Sequence, residues 1–448
     1  MANDKSFKIK NGLKAGRYLG SNGTETAGTN GPYGVFSTTL YTGTASAQTI
    51  TNSIDLSGEG GITWIKNRDN SSADHSIYTT DIGNDKLLAT NKTDALNTVS
   101  NSLSFTSSGF SLSATNIGYW NTNKSGEDYV SWTFKKQTKF FDVVTYTGNG
   151  TAGRTINHSL GSAPGMIIVK QYQAGEARPW SIYHRGIDAS APEDYRISFT
   201  TAARVDDAGQ WNDTAPTSSV FTVGDSTYVN NNGESYVAYL FAHDTAADGY
   251  IQCGSYTGNG STTGPEIDLG WDVSWLLVKN ASASANWLLL DTKRGMPPSG
   301  SDQHSLLADS STAELVNQSY QIQPITNGFQ PISTNGLVNA NGNTYIYMAI
   351  RAVVQTQTLD LSTGHTFTIT PTDALDILFS NPPASGTATG FTVEVDNSAG
   401  GYAITWPSSV KWHLGAAPTA TASKELYTFV TTDGGTTYYG KLAGSDIA

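Results

Sequence analysis

Apolar and polar residues along this chain repeat at the short period of strands. "YVSWTF" (129–134) and "YVAYLF" (236–241) alternate aromatic with smaller residues, as a strand with one packed face does. "MIIVK" (166–170) and "WLLVK" (275–279) are continuously apolar, as a central strand covered on both faces requires. Lys170 and Lys279 are expected where those strands leave the core. No stretch carries the 3.6-residue period of a long amphipathic helix. The pattern predicts an all-β protein.

The pattern also recurs. Segments opening at Tyr41, Tyr146 and Tyr256 each run from Tyr-Thr-Gly through a polar stretch to an apolar strand ending in Lys66, Lys170 and Lys279, at spacings of 25, 24 and 23 residues. A second apolar strand follows each lysine ("HSIYTT", "WSIYHRG", "WLLLDTKRG"), then a Phe (Phe110, Phe221, Phe329). Each copy closes on an Asn- and Gly-bearing loop with an alternating strand. The closing tyrosines, Tyr129, Tyr236 and Tyr345, lie 88, 90 and 89 residues after the opening ones. Turn signals this frequent, in units of about 105 residues, predict two-sheet β-sandwiches stacked end to end. The glycines of "YTGNG" are expected to supply positive φ at a turn.

The predicted organisation is an N-terminal arm (1–32), three sandwich repeats (33–138, 139–248, 249–352) and a small C-terminal β-domain (353–448). The arm starts basic and turns Gly-, Asn- and Thr-rich, a composition that cannot bury a core alone. Phe7, Ile9, Leu13 and Tyr18 are its candidate docking residues. Composition fits the strands: 46 glycines and only 14% charged residues. A net charge of −12 argues against a nucleic-acid partner. The single cysteine, Cys253, excludes an intrachain disulfide and reads as a small buried residue. The N-terminus carries no apolar signal segment, and no run suits a membrane span.

Candidate chemistry is sparse. None of the seven histidines forms a zinc-helix spacing. His184 with Asp188 and Asp194 could form an acid–base group, but its place in "YHRG" suits a polar residue at a strand exit. "RDNSSAD" (68–74) lacks the glycine and closing glutamate of a calcium loop. No catalytic residue, metal or cofactor is expected. Aromatics are the remaining lead. Trp64, Trp132, Trp180, Trp275 and Trp287 lie on strand patterns and are expected in cores. Trp120, Trp211, Trp271 and Tyr228 sit in polar contexts and are the candidate glycan contacts.

The ending "ITWPSSVKW…ELYTFVTTDGGTTYYG" resembles a C-terminal module common in phage tail-fibre and other virion proteins. "SFKIKNGL" resembles the start of marine-phage fibre proteins. The "YTGNGT…HSLGSAPGMIIVK…YVAYLFAHD" unit is similar to tandem modules of the same class. The resemblance implies a non-enzymatic virion protein made in the host cytoplasm: a tail fibre, held to other tail proteins by its arm, contacting a host glycan or receptor as a homotrimer. A capsid decoration or tail-adaptor protein is the alternative, and a virion-borne polysaccharide depolymerase a further one.

Overall fold

Strands account for almost all regular structure. The computed structural model describes residues 34–98, 102–114, 121–172, 177–246, 249–296, 303–317, 319–352, 355–371, 375–398, 404–413 and 415–447. Within these, the helical segments are single turns: Leu56–Glu59, Pro192–Asp194 and Ala208–Trp211. The chain is all-β. Its contacts divide it into two units, Pro32–Ala352 and one formed by the C-terminal residues Val353–Ala448.

Inside the larger unit the sheet order repeats three times. An opening strand (Phe36–Thr42, Phe141–Thr147, Ile251–Thr257) pairs with a closing strand (Asp128–Lys135, Ser235–Ala242, Thr344–Arg351). The closing strand pairs with the lysine strand (Gly61–Asn67, Pro164–Gln171, Val273–Asn280), and that with a partner strand (Ser76–Thr79, Ser181–His184, Trp287–Asp291). All these pairings are antiparallel. A smaller sheet covers one face of each: the strand of Phe110 pairs with Gln48–Thr51, that of Phe221 with Arg154–Asn157, and that of Phe329 with Ile267–Asp268.

Three aromatic residues lock each sandwich. Tyr41 stacks on Tyr129, Tyr146 on Tyr236 and Tyr256 on Tyr345, with ring centroids 5.0, 5.2 and 5.0 Å apart. Phe110, Phe221 and Phe329 meet the opening tyrosines edge-on at 6.3, 6.2 and 6.2 Å. Such pairs add to the area they bury because ring edges and faces carry opposite partial charge.

The repeated turn has a double cause. A Cβ on Gly43, Gly148 or Gly258 would stand 2.1, 2.0 or 2.2 Å from a closing-loop carbonyl oxygen, so these glycines answer to close approach. Positive φ is needed two residues later, at Gly150 and Gly260, and Ala45 adopts it in the first copy. The closing loop then pins the turn: the side-chain oxygens of Asn123, Asn230 and Asn339 accept from the backbone N–H of Thr44, Asn149 and Asn259 at 2.9, 3.0 and 2.9 Å.

The outer face of each large sheet decides the tertiary arrangement, and here the end-to-end stacking is corrected. Ile62, Trp64 and Trp132 of the first repeat, Met166, Ile168 and Tyr239 of the second, and Trp275, Leu277 and Met348 of the third belong to one continuous core. The first and third repeats keep separate small cores beneath their covering sheets, while in the second the two are continuous. The lysine strands are apolar throughout because both faces are covered.

Backbone hydrogen bonds close this arrangement into a ring. Leu96 N donates to Tyr172 O (3.3 Å), Arg204 N to Ala281 O (3.0 Å) and Glu314 N to Arg68 O (2.7 Å), joining first to second, second to third and third to first. Head-to-tail contacts leave no free end when the rotation closes.

The lysines do not leave the core. Lys66, Lys170 and Lys279 are fully buried. Lys170 Nζ donates to Thr93 O of the first repeat (2.7 Å) and to Arg178 O, and Lys279 Nζ to Thr201 O of the second (3.0 Å) and to Ala285 O. Among the described residues, Lys66 Nζ donates to the adjacent Asn67 O alone (2.7 Å). The second and third lysines turn inward because a neighbouring repeat presents carbonyls that need donors.

In the C-terminal unit, Gln355–Asp360, Leu375–Ser380 and Ile404–Thr405 form one parallel sheet. Thr366–Ile369, Thr389–Asp396, Lys424–Thr431, Tyr438–Gly444 and Val410–Trp412 form a second, mixed one. Phe391, Phe429, Tyr427 and Trp406 fill its core, and period-2 burial along Thr389–Asp396 matches the sequence pattern.

Replacing Phe329 by Ala should destabilise the larger unit by about 3–5 kcal/mol, since a buried ring leaves a cavity its neighbours cannot fill. Urea unfolding measures this, and a loss under about 1 kcal/mol would show that the aromatic lock contributes little.

Candidate functional site

Two of the four candidate glycan aromatics are buried, which corrects that expectation. Trp211 ends the Ala208–Trp211 turn and lies edge-on to Tyr183 at 6.0 Å. Trp271 belongs to the third repeat's own core. Their polar sequence neighbours are loop residues, and the loops turn the rings inward. Tyr228 is half-buried beneath Arg196, whose guanidinium carbon stands 5.3 Å from the ring centre. Trp120 and the arm residues Phe7, Ile9, Leu13 and Tyr18 lie outside the described residues. Trp64, Trp132, Trp180, Trp275 and Trp287 are all buried, as is Cys253, whose thiol burial pushes well above its ordinary pKa.

The polar side chains nearest to a reactive constellation lie where repeats meet. The residue just before or at the start of each partner strand bonds a carbonyl of the preceding repeat in the ring: His75 to Leu307 O (3.0 Å), Trp180 to Ala89 O (2.9 Å) and Trp287 to Ser198 O (2.8 Å). The last residue bonds the following repeat: Thr79 to the Tyr239 hydroxyl (2.8 Å), His184 to Tyr347 O (3.0 Å) and Asp291 to Trp132 Nε1 (3.0 Å). The bond of His184 differs in kind because the residue corresponding to Trp132 and Tyr239 is Met348, which has no N–H or O–H in its side chain, so His184 takes a backbone oxygen instead.

His184 does end its strand, Ser181–His184, but its side chain stays in the core. It is fully buried, and its bonds fix one neutral tautomer: Nδ1 accepts from Gly186 N (3.1 Å) while Nε2 donates. His75 is held likewise, with Nδ1 accepting from Trp64 Nε1 (2.9 Å). A proton on either Nδ1 would face another N–H. Burial lowers His184 to about 4, and burial with the nearby Lys66 charge lowers His75 to about 3. Burial likewise lowers each of the three lysines to about 8.

One ion network is nearly sealed. Asp291 and Arg294 are fully buried and paired at 2.7 Å, with Arg294 over the Trp132 ring at 5.3 Å. Arg294 also reaches Glu314 (3.1 Å), which accepts two bonds from Arg68 Nε (3.1 and 3.2 Å), one from Arg68 Nη2 (2.7 Å) and pairs with His304 (2.9 Å). Burial raises Glu314, but the Arg68 bonds and the Arg294 charge outweigh it and hold the carboxyl low. A carboxylate saturated by guanidinium donors is a poor proton acceptor. The network ties the third repeat to the first.

Open surface lies elsewhere. One cavity of about 510 Å³ is lined by Glu59, Lys136, Asp142 and His158 at the junction of the first two repeats. A second, about 400 Å³, is lined by Ser162, Tyr183, Arg185 and His243 in the second repeat. A third, about 250 Å³, draws Asn91–Thr93, Trp180, Phe199–Thr201 and Asp309 from all three repeats. Among the described residues, no group of three or more His, Cys, Asp or Glu side chains could hold a metal ion, and the loop 68–74 is organised by Asn67 Oδ1, which accepts from Asp69 N and Asn70 N.

Residues 31–352 match the family model described as Domain of unknown function (DUF7483). The chain belongs to that family. The matched span coincides with the ring of three repeats, so the family's unit is the closed ring and not one sandwich. No curated protein matches the chain.

Two outcomes follow for the ring's polar junctions. Both histidines have folded values below the unfolded value of about 6.5, so the unfolded chain takes up protons first and stability is lost as pH falls from about 6.5 towards 4. His184→Gln, which keeps a donor and an acceptor, should flatten that fall in urea midpoints, and an unchanged slope counts against it. Glu314→Gln should lower stability by about 3–5 kcal/mol, because it removes the carboxylate that Arg68 pairs with and leaves Arg294 with Asp291 alone. Urea unfolding at pH 7 checks this.

Proposed function

We propose that this chain is a non-enzymatic structural protein of a phage particle, a tail fibre that attaches through its N-terminal arm and meets the host surface through its β units. One observation carries the reading: Asp291, Arg294 (over the Trp132 ring), Glu314 (through Arg68), Lys170, Lys279, His75 and His184, the buried groups best able to do chemistry, are engaged in joining repeats. A module braced in this way suits holding position under load. The likeness of the ending and of the "SFKIKNGL" opening to fibre proteins supports the same reading, and a homotrimer is the assembly expected of a fibre.

A capsid decoration or tail adaptor would share this architecture and differ in position. A depolymerase would need two carboxylates flanking an open cleft, one of them with a raised pKa. The buried pair Asp291 and Glu314 meets arginines instead.

A cryo-electron map of the particle is the direct test: density for the ring on the tail supports a fibre, density on the shell supports decoration, and absence from particles overturns the virion reading. Deleting residues 1–30 should leave the ring folded and abolish incorporation. Release of oligosaccharide from host envelope polysaccharide by the purified chain would favour the depolymerase.

A further inference from the structure

The cavity in the second repeat differs from the other polar clusters because its polar groups are not used by the fold. Tyr183 is 4% exposed, yet its hydroxyl has no hydrogen-bond partner among the described residues. The same holds for the buried Ser162 hydroxyl and for the guanidinium of Arg185. His243 Nδ1 accepts from Cys253 N at 3.2 Å, which leaves the proton on Nε2 as a free donor. Four donors thus meet at one opening of about 400 Å³. Pro164, Pro192, Pro216 and two alanines supply apolar walls. The carboxylate electrostatically felt by Tyr183 is that of Glu193, next to the lining Pro192.

The other two repeats show how the position looks when the fold does use it. Counting back from the last residue of the partner strand, Tyr183 corresponds to Tyr78 and Leu290. Tyr78 is fully buried, with its hydroxyl bonded by Ser102 (3.3 Å), and Leu290 has no hydroxyl. Counting back from the buried lysine, Ser162 corresponds to Trp271, which is buried in its own repeat's core. Arg185 corresponds to Thr80 and Thr292. Only the second repeat combines a small residue, an unpaired tyrosine hydroxyl and an unpaired cation around an opening.

We infer that this cavity binds one hexose-sized unit of a saccharide, its hydroxyl oxygens accepting from Ser162, Tyr183, Arg185 and His243 and its C–H faces resting on the prolines. The Ser162 and Tyr183 hydroxyls can each donate or accept, Arg185 and His243 Nε2 donate, and the Glu193 carboxylate nearby accepts, a mixture that suits the hydroxyl groups of a polyhydroxylated ring, each of which does both. Apolar walls with a few placed polar groups are the general form of small-molecule sites. The biological meaning rests on the host-contact reading; the binding itself does not.

The test uses the full chain against an immobilised set of neutral-hexose and uronate oligosaccharides. Ser162→Trp fills the cavity with the residue the third repeat carries there, and Arg185→Thr installs the residue of the first and third. The wild type should retain at least one saccharide, and each variant should lose about tenfold or more in affinity while melting at the wild-type temperature. Retention confined to uronates would assign Arg185 a carboxylate partner, and retention of neutral hexoses a hydroxyl; both support the site. No retained saccharide, or variants that bind as the wild type does, overturns it. Since binding is read on purified chain, failure here leaves the virion assignment standing, and absence from particles leaves the binding result standing.

Discussion

The constraint on which this structure depends is that each large sheet has two apolar faces and only one covering sheet of its own. The second face must be covered by something, because leaving Trp64, Trp132, Trp275 and their neighbours in water would forfeit about 25 cal/mol for each Å² of apolar surface. Three copies facing a common centre cover one another. Once they do, each repeat meets two neighbours, and the contact between third and first is as necessary as the two between consecutive repeats. The family match covers all three copies together, as expected if one or two would leave a face bare.

That closure explains the unusual inventory of buried polar groups. Where repeats meet, loop carbonyls are shielded from water and need donors, and the chain supplies a histidine, two tryptophans and two lysines. Equivalent positions hold chemically different residues, His75 with Trp180 and Trp287, or Thr79 with His184 and Asp291, yet every one makes a bond to the neighbour. The geometric demand persists while the residue meeting it varies. The junction of third and first repeats, which no direct chain link joins, carries the Arg68–Glu314–Arg294–Asp291 network.

The three copies have also diverged in what they leave unfilled. In the third repeat, Trp271 and Leu290 lie in the repeat's core, and in the first, Tyr78 and Ser102 satisfy each other. The second has spare donors and an opening. A threefold scaffold can let one copy specialise while the others hold the ring together.

Much of this was legible in the one-dimensional pattern. Alternating and continuous apolar runs determined the strands, and the spacings of Tyr41, Tyr146 and Tyr256 from their lysines determined that one sandwich is written three times. The turn glycines and the strand tryptophans were legible because local sterics and strand periodicity act over a few residues. Tertiary structure alone decided that the sandwiches share a core, that the lysines and His184 point inward, and that Trp211 and Trp271 are covered. Those outcomes depend on which surface faces which, and on carbonyls about a hundred residues away that need a donor. No local pattern records a partner at that distance, because burial belongs to the assembled ring and not to any strand within it.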